Sequence, residues 1–201
     1  MRSVGVLALQ GGWQAHLGRV QGLGAAARPV RTAAELAEVD GLILPGGEST
    51  AMLKLMEPEG LGEAIRKHVL RGRPVLATCA GVIVLAATVR PDQLSLGLLD
   101  VEVERNAYGR QLDSTIAAVD LVPNLGPPST FEGVFIRAPK ILSTGPDVEV
   151  LGRWDGNAVL VRHKAIVGAT FHPELTDDHR IHGLFLRAGE RAHDQAIAAA
   201  R

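Results

Sequence analysis

Apolar residues in the first half of the chain fall into two alternating patterns: short continuous runs, and stripes at three- and four-residue spacing. Val4 to Leu9 is a continuous run closed by turn residues, as a buried strand requires. Trp13, Leu17 and Val20 then recur at helical spacing and stop near Gly22 and Gly24. Pro29 to Arg31 predicts a short strand. Thr32 is placed to cap a helix from Ala33 to Val39, with Glu35 as its capping-box partner. Gly41 to Leu44 reads as a strand that stops at Pro45-Gly46-Gly47, and a helix from Thr50 to Met56 follows. Leu61, Ala64, Ile65, His68 and Val69 form a helical stripe ended by Gly72. Pro74 to Thr78 is again strand-like. Ala80 to Ala87 is apolar all round, which predicts a buried helix.

Strands alternating with helices predict a mostly parallel sheet covered on both faces. The second half changes rhythm. Val101 to Glu104, Thr115 to Val122, Val134 to Arg137, Val148 to Trp154, Ala158 to Arg162 and Ala165 to Phe171 read as strands joined by short turns. Asp155-Gly156 is a strong hairpin signal. This antiparallel section should extend or flank the parallel sheet. Asp178 to Ala200 predicts a closing helix with Ile181, Leu184, Phe185 and Ala188 on its inner face. No internal repeat is present.

The 201 residues suffice for one α/β domain with a sizeable core, and no low-complexity linker divides them. A net charge of −1 gives no reason to expect a polyanion partner such as nucleic acid. No apolar run reaches the ~18 residues of a membrane span. Met1 to Leu9 is too brief, and lacks the cleavage pattern, for a signal peptide, so a cytoplasmic location is expected.

The chain has a single cysteine, which forms no intrachain disulfide and no cysteine-rich zinc site. Such a residue is either a small buried hydrophobe or a nucleophile. Its setting is Ala77-Thr78-Cys79-Ala80-Gly81, where a strand enters, small residues surround the sulfur and a helix leaves. That is the pattern of a nucleophile elbow, which also puts the sulfur at a helix N-terminus. The alternative is a core Cys between two elements. Phe171-His172-Pro173-Glu174 adds a second signal. Extended backbone puts i and i+2 on one side, and Pro173 biases His172 toward that conformation. His172 and Glu174 therefore have the spacing of a base and its orienting carboxylate. At average Pro and Glu usage, the chain's 7 histidines give a chance His-Pro-Glu odds of about one in fifty.

A Cys elbow with a distant His-x-Glu suits acyl transfer. Cys79 attacks a carbonyl, and His172 protonates the leaving group and then activates water. The oxyanion needs convergent N–H donors. These can come from the amide of Ala80, or from the loop Leu44-Pro45-Gly46-Gly47-Glu48-Ser49-Thr50. The same loop could instead be an ordinary strand-to-helix turn with Ser49 as N-cap.

Gly46-Gly47-Glu48-Ser49-Thr50, Thr78-Cys79-Ala80-Gly81 and Phe171-His172-Pro173-Glu174-Leu175 resemble the motifs of class I, or triad, glutamine amidotransferases. Further motifs narrow the resemblance. They are Gly5-Val6-Leu7-Ala8-Leu9-Gln10-Gly11 with His16, Val39-Asp40-Gly41-Leu42-Ile43-Leu44-Pro45, and Leu98-Leu99-Asp100. They continue with Val103-Glu104-Arg105-Asn106-Ala107-Tyr108-Gly109-Arg110-Gln111, Gly133-Val134-Phe135-Ile136-Arg137-Ala138-Pro139 and Thr176-Asp177-Asp178-His179-Arg180. Together they resemble the PdxT-type glutaminase subunits of pyridoxal 5′-phosphate synthases, in order along nearly the whole chain. Ala77 departs from the pattern, since such elbows usually carry Gly there, and Gly12-Trp13-Gln14 is also untypical.

The resemblance implies a flavodoxin-like three-layer sandwich with a mostly parallel central sheet and additional antiparallel strands, as one glutamine amidotransferase domain over residues 1–201. It implies Cys79, His172 and Glu174 as the triad, and Gly47, Glu48, Ser49, Arg105, Ile136 and Arg137 as the glutamine-binding residues. Gly47 and Ala80 would form the oxyanion hole, and Gln10 would couple the site to a PdxS-type synthase subunit. It implies L-glutamine as substrate, ammonia passed to the synthase, weak activity without that partner, and no cofactor or metal for this chain. Arg105 and Glu48 have the chemistry to hold a carboxylate and an ammonium, although a solvated strand charge is an equally ordinary role for Arg105 and Arg137. Other readings are a glutaminase serving histidine or purine synthesis, a non-catalytic redox or binding protein of the same fold, and a Cys-His peptidase. The Val-Glu-Arg-Asn and Phe-Ile-Arg-Ala-Pro segments argue against the first. Glu174 argues against a mere redox Cys, and a peptidase leaves Arg105 without a role.

Overall fold

The computed structural model describes residues 3–105 and 114–188. Strands β1 (Ser3–Leu7), β2 (Ala26–Val30), β3 (Gly41–Leu44) and β4 (Val75–Thr78) alternate with helices α1 (Trp13–Gly22), α2 (Ala33–Ala37), α3 (Ser49–Met56) and α4 (Leu61–Leu70). Helix α5 (Ala80–Leu85) leaves β4 through Cys79. Next come β5 (Ala86–Arg90), β6 (Leu99–Glu104), β7 (Ser114–Leu121), β8 (Thr130–Ile136), β9 (Lys140–Thr144), β10 (Glu149–Trp154), β11 (Asn157–His163) and β12 (Ile166–Ala169). A 3-10 turn, Pro123–Leu125, lies between β7 and β8, and another, Pro173–Leu175, precedes a last helix, α6, described over 180–188.

One nine-stranded sheet runs β2-β1-β3-β4-β12-β11-β10-β7-β8. Its first five strands are parallel. The remaining four join antiparallel, so the strand-rich second half extends the parallel sheet. Strands β5, β6 and β9 form a separate three-stranded sheet that flanks it. Alternate residues of the central strands feed two cores, as the two-residue period requires. Leu42, Leu44, Val75 and Ala77 pack under α2 to α5, whereas Val6, Ile43, Leu76 and Val167 pack under α1 and α6. The helices thus cover both faces in the three-layer arrangement expected.

Several expectations hold in detail. Thr32 and Glu35 make the full capping box. Asp155 and Gly156 both take positive φ (47° and 72°), as a tight turn between β10 and β11 demands. All six residues of α5 are buried. Others need correction. The helix expected over Ala80 to Ala87 ends at Leu85, and Ala86 begins a strand, because β5 pairs with β6. Strand β2 starts at Ala26 rather than Pro29, and Pro29 is tolerated there because β2 is the sheet edge. Strand β9 was not expected at all. The closing helix expected to Ala200 lies outside the described residues beyond 188, as does the motif segment after Arg105. No helix among the described residues is long and apolar enough to cross a membrane.

Candidate active site

The loops leaving the C-terminal ends of β1, β3, β4 and β12 converge, which is where open parallel sheets place their ligand crevices. Strand β4 delivers Cys79. The Cys79 N–H donates to the Ala169 carbonyl at 2.8 Å, which pins the elbow to β12. Cys79 has φ 47° and ψ −106°, a strained conformation for a residue with a side chain, and such strain concentrates at functional positions. The turn is tight because α5 lies directly on β3: a Cβ at Gly81 would meet the Leu44 carbonyl oxygen at 2.3 Å. Ala77 fits without distorting this elbow, fully buried and in register with Leu44 and Gly168.

The chain leaving β12 carries His172 and Glu174. The His172 N–H donates to the Val134 carbonyl at 2.8 Å, so β8 sets the height of the imidazole over the sheet. His172 Nδ1 and Glu174 Oε1 are 2.7 Å apart, and Glu174 is buried. Burial alone would lower the His172 pKa. Hydrogen bonds to Cys79 and Glu174, and the charges on both, outweigh it and raise the value from 6.5 to about 10. Burial likewise opposes ionisation of Glu174, but its hydrogen bond to His172 and the imidazoles of His16 and His172 hold the carboxyl below its usual value. The arrangement is a carboxylate, an imidazole that takes and keeps a proton, and a thiol within that imidazole's reach.

Beside the sulfur opens a cavity of about 240 Å³, lined by Gly47, Glu48, Ser49, Cys79, Ile83, Arg105, Ile136 and Arg137. The Cys79 thiol lies 3.9 Å from the Ile136 carbonyl oxygen at the end of β8. Arg137 has φ 43°, so the chain turns sharply at the rim. The Glu48 carboxylate, not Ser49, caps α3, accepting from the Thr50 N–H at 3.1 Å and the Ala51 N–H at 2.6 Å. The bonds to Ala51 and Thr50, together with the Arg105 charge, overcome a desolvation cost and hold Glu48 below its usual pKa. The anion therefore stays in the cavity wall, facing the two arginines that share it.

A model of the SNO glutamine amidotransferase family matches residues 6–191. The chain belongs to this family. It is 44% identical over 198 residues to "Pyridoxal 5'-phosphate synthase subunit PdxT" of Bacillus licheniformis, covering 98% of this chain and 100% of that protein. It is 50% identical over 191 residues to the protein of the same name from Acidothermus cellulolyticus, covering 91% of each chain. A solved structure described as "Crystal structure of glutamine amidotransferase" superposes with a TM-score of 0.87 at 43% identity, covering 93% of this chain and 98% of that one.

The structure brings most of the residues expected of a glutamine amidotransferase site close together. All six residues expected to hold glutamine line the one cavity that also contains Cys79. Ala80 is the first residue of α5, next to the sulfur. Gln10 reaches over the glycine loop: its Nε2 donates to the Glu48 carbonyl at 2.8 Å and its Oε1 accepts from the Glu48 N–H at 3.1 Å. Sequence reasoning missed two neighbours. Ile83 lies one helical turn after Cys79, so its place in the wall follows from helix periodicity. Gln93 Oε1 accepts from Ser49 Oγ at 3.1 Å and Thr50 Oγ1 at 3.3 Å, and also from Arg105. It stands in the connection between β5 and β6, where nothing in the sequence pattern singles it out.

Proposed function

We propose that this chain is the glutaminase subunit of a pyridoxal 5′-phosphate synthase, hydrolysing L-glutamine to L-glutamate and ammonia through Cys79, His172 and Glu174. The observation that carries the reading is the shared cavity. A nucleophile at Cys79, a carboxylate at Glu48 and guanidinium groups at Arg105 and Arg137 line one cavity of about 240 Å³, and the His172 imidazole reaches the Cys79 thiol from beside it. Arg105 takes the α-carboxylate and Glu48 the ammonium, which leaves the side-chain amide over Cys79.

Cys79 passes its thiol proton to His172, Sγ attacks the amide carbon, and the carbonyl electrons move to oxygen. The amides of Gly47 and Ala80 receive that oxyanion. As the C–N bond breaks, His172 gives its proton to the nitrogen and ammonia leaves. His172 then takes a proton from water, hydroxide adds to the thioester, and glutamate departs with the Cys79 thiol restored. Glu174 keeps the imidazole in the tautomer with its Nδ1 proton directed at the carboxylate.

The relatives are named as subunits, and ammonia is lost to water and protonation unless it is consumed nearby. We therefore assign the chain a PdxS-type synthase partner, with pyridoxal 5′-phosphate as the product of the complex and not a ligand here, in the cytoplasm. Purified chain should hydrolyse glutamine, faster with the synthase subunit than without it, and Cys79→Ala should abolish the reaction. A Cys79→Ala variant that still turns over glutamine removes the triad assignment. Equal rates with and without the synthase remove the coupling.

A further inference from the structure

Behind the triad lies a row of buried groups that the reaction as written does not use. His16, on α1, is fully buried. Its Nε2 lies 3.2 Å from Thr78 Oγ1 and 3.3 Å from Glu174 Oε2. Its Nδ1 lies 3.0 Å from Nε2 of His182, itself fully buried on α6. Glu174 Oε1 is taken by His172, whereas Oε2 has no in-line donor among the described residues. The ring N–H of His16 aims at Thr78, and the carboxylate oxygen lies off that line.

Protons in this row can be placed from charge alone. An ionised Glu174 only accepts. A bare His16 Nε2 at 3.3 Å would set lone pair against lone pair, so that nitrogen carries the proton. Burial holds His16 neutral, against the pull of Glu174, which leaves its Nδ1 bare. His182 Nε2 must then be the donor to it. His182 is also kept neutral by burial and by its neighbour His16, with its pKa lowered to about 3. Among the described residues His182 Nδ1 has no partner, and it is the acceptor end of the row. Each imidazole has one allowed tautomer.

The same helix grips the triad segment elsewhere. Arg19 Nε donates to the Glu174 carbonyl at 3.1 Å, and Arg19 Nη1 pairs with Asp177 at 3.0 Å. A Cβ at Gly12, the residue before α1, would lie 3.6 Å from Glu174 Oε1. Residues 12–19 therefore hold the acid from three directions, through its carboxylate, its backbone and its neighbour Asp177.

We propose that His16 is a positioning residue of this site: its Nε2 proton, shared between Thr78 and Glu174, fixes the carboxylate that orients His172, and His182 fixes the tautomer that makes His16 a donor. The inference rests on the glutaminase reading for the reaction, but not for the geometry. Removing the donor leaves a buried carboxylate oxygen served by no polar hydrogen, and the acid is then free to turn away from His172.

The test compares His16→Leu with His16→Gln in the full chain, because Gln can present an N–H close to the His16 Nε2 position. His16→Leu should lower kcat by about 10- to 100-fold with KM little changed, the range seen when an orienting partner of a functional side chain is lost. It should also move the titration of the His172 imidazole, followed by ¹⁵N-histidine spectra, to lower pH, because Glu174 is one of the groups that raise it. His16→Gln should restore most of both. A folded His16→Leu protein with wild-type kcat and His172 titration overturns the proposal, and so does a His16→Gln protein as impaired as His16→Leu. If His16→Leu does not fold, ¹⁵N-histidine spectra of the wild type decide. With the resonances assigned through His16→Gln, His16 must be the Nε2–H tautomer, and an Nδ1–H tautomer overturns the proposal. A wild-type chain that hydrolyses no glutamine defeats the functional reading alone, because the His172 titration still reports on His16.

Discussion

Gln10 and Glu48 are joined by both halves of one side-chain amide, Nε2 to the Glu48 carbonyl at 2.8 Å and Oε1 to the Glu48 N–H at 3.1 Å. The clamp ties the loop after β1 to the glycine loop after β3, two segments with no covalent reason to stay together. Gln10→Ala should release residues 46–48. With two hydrogen bonds worth about 1 kcal/mol each, the fall in kcat/KM for glutamine should be about thirty-fold. Steady-state glutaminase assays of the free chain check this, and an unchanged kcat/KM would mean that the loop holds its shape without Gln10.

The backbone at Gly46 passes close against His172 and Cys79. An added Cβ would stand 2.4 Å from His172 Cε1 and 3.3 Å from Cys79 Cβ. Gly46→Ala must push either the loop or the imidazole aside. A displacement of about 1 Å at reacting groups costs on the order of 100-fold in rate. Overpacking of this kind lowers stability by about 1–3 kcal/mol. A urea melt beside a kcat measurement should find the variant folded and nearly inactive.

Gln93 gathers Ser49, Thr50 and Arg105 onto one amide oxygen. Since Arg105 is the cation assigned to the substrate carboxylate, Gln93 acts on binding and not on bond cleavage. Gln93→Ala should raise KM for glutamine about five-fold, the worth of roughly one hydrogen bond, and leave kcat within about two-fold. A drop in kcat at constant KM would contradict this division of roles.

The parts of this molecule legible in the sequence are those with a local period or a fixed spacing. The β-α alternation, the Thr32-Glu35 box and the Cys79 elbow all depend on neighbours in the chain. Strand β5 was missed because Leu85 to Ala86 passes from helix to strand with no turn residue between them. Strand β9 hid because Ile141 is its only buried residue. The Glu48 cap was read as Ser49 because Glu is not a favoured cap residue; its carboxylate reaches the N–H groups from the cavity wall. Gln93 carries no local signal at all, and His16 is marked only as part of a motif whose role the sequence does not give. Their partners come from other strands and loops, and only the assembled fold brings Glu174 to His16.

The His172-Glu174 pair makes the protein's stability depend on pH in a defined window. His172 has its pKa raised from 6.5 to about 10. The folded chain therefore keeps a proton that the unfolded chain gives up above pH 6.5. This contribution is complete below pH 6.5 and is lost as pH rises toward about 10. Glu174 behaves oppositely: held below its usual 4.5, it contributes fully above pH 4.5, and that contribution is lost as pH falls through the lower folded value. The pair as a whole stabilises most between pH 4.5 and 6.5. Glu174→Gln keeps a carbonyl oxygen for His172 Nδ1 and removes the charge, while its amide nitrogen faces the His16 Nε2–H. The difference in urea midpoint between wild type and Glu174→Gln should be largest in that window and shrink on both sides. A difference that stays flat with pH, or grows above pH 6.5, would mean that packing and not charge is what Glu174 contributes to the fold.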